Sequence, residues 1–120
     1  MRDSTVRVYR RGLSPAKLRK IKELLQEKME DDLSLDEMAR AVGLSAGHFY
    51  QVFRDTTGQT PHQCLLWYRV QRAKEMLRSA EMRVLDVAIA CGFKTQQHFA
   101  RVFRGICGAS PTEYRYDFLR

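Results

Sequence analysis

The 120-residue chain predicts an all-α fold of seven helices. One block of apolar, glycine and proline positions occurs twice. Hydroxyl–proline pairs mark points where helices begin. No stretch sustains the period-two alternation of a strand. The first block holds Leu35, Met38, Ala39, Val42, Gly43, Leu44, Phe49, Phe53, Arg54, Gly58, Thr60 and Pro61. The second answers with Val84, Val87, Ala88, Cys91, Gly92, Phe93, Phe99, Phe103, Arg104, Gly108, Ser110 and Pro111. The offset is 49 residues through Leu44 and Phe93, just past the turn glycine, and 50 from Phe49 and Phe99 on, so the second block carries one extra residue past the turn. Two short helices around a glycine turn form a helix–turn–helix. The chain therefore reads as two such subdomains joined by a long linker helix.

The elements follow in order. Residues 1–13, with Val6, Val8 and Tyr9, show no strong pattern and read as an arm or linker. Residues 14–120 form the folded domain. Ser14-Pro15 opens a first helix near 15–30, because a hydroxyl caps the orphan amides and proline at the first position has no N–H to waste. Leu18, Ile21, Leu24, Leu25 and Met29 follow the helical period, and Asp31-Asp32 break it. Ser34 and Glu37 have capping-box spacing and open a helix near 35–42, ended by Gly43. Ser45 caps a helix near 46–56, closed by Gly58. Thr60-Pro61 opens the long helix, 61–79, with Cys64, Leu65, Tyr68, Ala73, Met76 and Leu77 as its apolar positions. The pattern recurs near 84–91 and 95–106, and Ser110-Pro111 with Glu113 opens a last helix near 111–118. The first helix–turn–helix unit spans about 14–59 and the second about 83–118.

Charge points to the ligand. The net charge is +7. Residues 1–60 carry 11 Lys and Arg against 9 Asp and Glu, and residues 61–120 carry 10 against 5. A basic excess is the footprint of a polyanion binder. Cys64, Cys91 and Cys107 are odd in number and lack metal-ligand spacing, so reduced buried thiols in a cytoplasmic protein are expected. No apolar run spans a bilayer. The residues call for no metal, cofactor or catalytic group: His48, His62 and His98 have no carboxylate or cysteine at metal-ligand spacing along the sequence, and no phosphate loop or nucleophile motif occurs.

The exposed faces of the third and sixth helices carry base-reading chemistry. Projection at 100° per residue puts Phe49, Val52 and Phe53 inside, with Gly47, Gln51 and Arg54 opposite and His48 and Tyr50 at the flanks. On the sixth helix Phe99, Val102 and Phe103 lie inside, Gln97, Arg101 and Arg104 outside, His98 at a flank and Gln96 in the opening turn. Glutamine pairs bidentately with adenine and arginine with guanine. Arg54, Lys94 and Arg104, with Ser45 and Thr95 at helix N-termini, suit phosphates, and His48 is grouped with them. A 19-residue linker helix spans about 28 Å, near the roughly 34 Å between successive major grooves. One monomer would then cover about 20 base pairs. A helical protein-interaction module is the competing reading; it would not need matched polar faces or show steep salt dependence.

The segments Leu35-x-x-Met38-Ala39-x-x-Val42-Gly43-Leu44-Ser45, Phe49-x-x-x-Phe53-Arg54-x-x-x-Gly58-x-Thr60-Pro61 and Arg69-x-x-x-Ala73-x-x-x-Leu77 resemble the DNA-binding domain of AraC/XylS-type transcription regulators. So does the run from Ala88-x-x-x-Gly92-Phe93 through Phe103-Arg104-x-x-x-Gly108-x-Ser110-Pro111-x-x-Tyr114-Arg115. The resemblance covers about residues 14–116. It implies a double-stranded DNA ligand, transcriptional control (more often activation) and RNA polymerase as a partner. It also implies base contacts at Gly47, Tyr50 and Gln51 in the first unit and at Gln96, Gln97, His98 and Arg101 in the second. Gly47 offers no side chain where other members place a large one. Arg11-Gly12-Leu13-Ser14-Pro15 resembles a junction to an effector-sensing domain, which points to part of a larger regulator, although Met1 serves equally as a true start.

Overall fold

A computed structural model describes residues 12–120; the arm expected over 1–13 falls almost entirely outside them. Among the described residues the elements are seven helices with no strand: α1 Pro15–Glu27, α2 Leu35–Ala41, α3 Ala46–Thr57, α4 Pro61–Leu77, α5 Val84–Ala90, α6 Gln96–Cys107 and α7 Pro111–Leu119. They divide between two compact units, one holding the chain up to residue 28 and over 33–65, the other holding 29–32 and 66–120.

Helix starts obey local chemistry. Ser14, Ser34, Ser45, Thr95 and Ser110 each accept a backbone N–H three residues on through the side-chain hydroxyl. Ser34 with Glu37, and Ser110 with Glu113, complete reciprocal boxes. Thr60 does the same with Gln63, at 2.9 and 3.1 Å, a pairing not read from the sequence. The repeat diverges at one start. Arg83, the counterpart of Ser34, makes no side-chain cap and instead pairs with Asp86 at 2.9 Å.

Two helices are shorter than their sequence patterns. The pattern near 15–30 ends as helix at Glu27. Met29 is buried yet lies past the helix, its carbonyl taken by Arg69 rather than by a next turn. The long helix stops at Leu77 instead of 79. The last two residues close in tighter i→i+3 bonds, Arg78 N–H to Glu75 O and Ser79 N–H to Met76 O, and Arg115 Nε donates to the Leu77 carbonyl at 3.0 Å. Its 17 residues give a length of about 26 Å.

In the first unit Ile21, Leu25, Met38, Ala39, Phe49, Phe53 and Leu65 are buried, and α3 lies against α2, which also meets α1. The second unit is built on Val70, Ala73, Leu77, Val87, Ala88, Cys91, Phe93, Phe99 and Phe103. Its aromatic centre is continuous: ring centroids of Phe93 and Phe99 are 5.1 Å apart, and Phe99–Phe103 and Phe103–Tyr114 each 5.6 Å. Burying one such ring contributes about 2 kcal/mol or more. Ala39 and Ala88 are both buried, as small residues at a helix crossing should be.

Candidate nucleic-acid interface

Each turn is held by its glycine. Gly43 has φ +72°, and the Leu44 N–H reaches back to Ala39 O at 3.0 Å. Gly92 has φ +94°, with the Phe93 N–H on Ala88 O at 2.9 Å. These left-handed glycines terminate α2 and α5 and deliver the chain to the N-caps of α3 and α6.

The second turn is far more constrained than the first. A Cβ on Gly92 would lie 2.7 Å from Met29 O and 3.0 Å from Arg69 Nε, whereas one on Gly43 would meet nothing within 4 Å. Arg69 causes the difference. It is buried in α4, donates from Nε to Met29 O at 2.6 Å and from Nη2 to Asp31 O at 3.0 Å, and lies 5.7 Å from the Phe93 ring centroid. Burial lowers its pKa from the ordinary arginine value, with the Asp32 charge opposing the shift. Sequence reading placed Arg69 only within a family motif, because nothing in helical periodicity announces an inward arginine.

The outward faces carry the anticipated side chains. Gly47, Gln51, Arg54, Gln96, Gln97, Arg101 and Arg104 are all exposed. Tyr50 and His98 are half-buried, and the His98 ring packs edge-on against Phe93 at 5.5 Å, so part of its surface belongs to the core. At the helix starts Ser45 and Thr95 are exposed, and their hydroxyls accept the His48 and His98 amides at 3.3 and 3.0 Å. The earlier amides of both helices lie in the first turn, where the helix itself supplies no acceptor.

Three carboxylates modify this picture, and sequence reading assigned none of them to the interface. Gln51 Nε2 donates to Asp55 Oδ1 at 3.1 Å, so part of its hydrogen-bonding capacity is already engaged. Lys94 Nζ lies 3.2 Å from Asp32 Oδ2. Arg104 Nη2 lies 3.0 Å from Glu113 Oε1. Both ion pairs are exposed, so each is weak in water. Gln51 and Asp55 share an i,i+4 spacing visible in the sequence; the two ion pairs join residues 62 and 9 apart, beyond any local pattern.

A helix-turn-helix domain family matches residues 38–117, two-thirds of the chain. The chain belongs to the AraC-type helix-turn-helix family. Transcriptional activator RhaS of Escherichia coli is 32% identical to this AraC-type domain over 91 residues, covering 76% of this chain and 33% of the activator. A solved AraC-type regulator from Chromobacterium violaceum superposes with TM-score 0.81 at 28% identity, over 88% of this chain and 94% of that one. The DNA-binding domain of AdpA, a global transcriptional factor solved in complex with a target DNA, superposes with TM-score 0.77 at 28% identity, over 85% and 92%. The chain spans about a third of the length of the curated relatives it matches, between 28% and 38%. The matched residues contain both turns and both outward faces.

Proposed function

We propose that this AraC-type domain is the DNA-reading part of a transcription regulator, more often acting as an activator, and that α3 and α6 each enter a major groove of an asymmetric site. The observation that carries the reading is the pair of capped helices with outward Gln51 and with outward Gln96, Gln97 and Arg101. Gly47, Tyr50 and His98 complete the base-facing set. Ser45, His48, Arg54, Lys94, Thr95 and Arg104 face phosphates, and the net charge of +7 favours them. The domain acts by binding and not by catalysis, in the cytoplasm, with RNA polymerase as its protein partner. An effector-sensing domain in a longer chain is supported by the relatives' greater length.

The second head carries more of the sequence information. α3 holds one arginine and one aspartate, and α6 two arginines and no carboxylate. Gln51 is shared with Asp55, while its counterpart Arg101 is exposed with no acidic neighbour at i+4, where Gly105 stands.

Fluorescence anisotropy against duplex DNA at several salt concentrations tests the reading. Log affinity should fall linearly with log salt, by about 0.9 per phosphate neutralised. Absent or salt-insensitive binding would return the chain to a protein-interaction module. A footprint near two helical turns, about 20 base pairs, indicates both heads bound, and one near a single turn indicates one.

A further inference from the structure

The two units place different side chains at one repeated position. The 50-residue offset pairs Arg54 with Arg104, Thr60 with Ser110, and Gln63 with Glu113. Gln63 closes the cap of α4 by accepting the Thr60 N–H at 2.9 Å. Glu113 closes the cap of α7 in the same way, accepting the Ser110 N–H through Oε1 at 2.8 Å. That oxygen also accepts from Arg104 Nη2 at 3.0 Å. A neutral amide performs the first task, while the second is a charge-assisted bond.

The anchor is unusual for an exposed carboxylate because two backbone bonds of the cap fix it, the second being the Glu113 N–H on Ser110 Oγ at 3.0 Å. Arg104 is therefore tied to a stationary oxygen and not to another mobile side chain. The contact uses one of the five guanidinium N–H groups and leaves the others for a ligand. A free arginine loses rotamer freedom on meeting its ligand, and one already held loses less. Against this stands repulsion between Glu113 and a polyanion, which salt screens beyond about 8 Å.

We propose that Glu113 is a positioning residue for DNA binding, holding the Arg104 guanidinium where it meets a phosphate, so that a negative charge beside the interface raises affinity. The proposal rests on the reading of α6 as a DNA-facing helix. It makes α6 differ from α3 in how its phosphate-side arginine is held, as well as in which bases it reads.

The sign of one substitution decides the matter. Affinity for a random-sequence duplex is measured by anisotropy for the wild-type chain, Glu113→Gln, Arg104→Ala and the double variant, with thermal melting of each. Gln63 shows that glutamine closes this cap, so Glu113→Gln should melt close to wild type. It should weaken binding about two- to fivefold, the span of an exposed ion pair. In the Arg104→Ala background the same change should leave binding unaltered or tighten it, as loss of a lone negative charge does. Ser110→Ala, which removes one of the two bonds that fix the carboxylate and keeps its charge, should lower the melting temperature and weaken binding by less than Glu113→Gln does. Tighter binding by Glu113→Gln alone, or an equal effect in both backgrounds, overturns the proposal. A wild-type chain that binds no duplex overturns the DNA reading itself, and a wild-type chain that binds keeps the two failures apart.

Discussion

Gly92 packs directly against the Arg69 guanidinium and the Met29 carbonyl that this guanidinium holds. Any side chain at Gly92 has to adopt φ near +94° and displace a carbonyl oxygen 2.7 Å away. Gly92→Ala should therefore cost on the order of 3 kcal/mol, combining left-handed strain with overpacking. Gly43→Ala faces only the strain and should cost about 1 kcal/mol. Urea midpoints of the two variants check the ranking, and equal losses would refute it. Arg69→Ala leaves two carbonyls without their charged donor and should cost about 3 kcal/mol. Lysine should recover only part of that, because one ammonium does not reproduce the fork that reaches both oxygens.

The two helices proposed to read DNA, α3 and α6, differ in what surrounds their outward side chains. Arg101→Ala should cost about 1–3 kcal/mol of discrimination across a panel of operator variants, the range of one bidentate contact. Gln51→Ala should cost less, since its amide is shared with Asp55. Asp55→Ala should tighten binding and sharpen discrimination by the first head; unchanged binding would remove Asp55 from the account. Gly47 has open space around its missing Cβ and no positive φ, so Gly47→Ala should stabilise α3 by about 0.5 kcal/mol, read as a rise in melting temperature. The positions of these elements were legible because caps, turn glycines and buried phenylalanines are local signals that repeat. Thr60 with Gln63 obeys the same grammar. The pairings of Asp32 with Lys94 and Glu113 with Arg104 were hidden, because they depend on packing and have no period along the chain. Met29 misled for a related reason: its apolar spacing continues α1, while its carbonyl answers to Arg69.

At the scale of the whole molecule, alkaline conditions should be the weak point. Burial raises the thiol pKa values of Cys64, Cys91 and Cys107, that of Cys91 from 9.0 to about 11. A raised value favours the neutral thiol in the fold. The associated stability is complete below about 9, where both states are protonated, and is lost as pH rises through about 11. Denaturant midpoints should fall across that window, and Cys91→Ala should flatten the fall; an unchanged slope in that variant would assign the loss to other groups. The seven helices and the duplicated turn were readable from sequence, since each rests on residues a few positions apart. The membership of residues 29–32 in the second unit has no motif to announce it, because it rests on contacts made far along the chain.

Those four residues, 29–32, count with the second unit although they precede most of the first in the chain. Their carbonyls satisfy Arg69 and crowd Gly92. The second unit is thus not a portable segment. A fragment cut to begin at residue 61 would retain every helix of the second repeat and lose the backbone that its buried arginine was made to hold. Duplicated in sequence, the second unit still depends on a stretch of backbone that belongs to neither copy of the repeat.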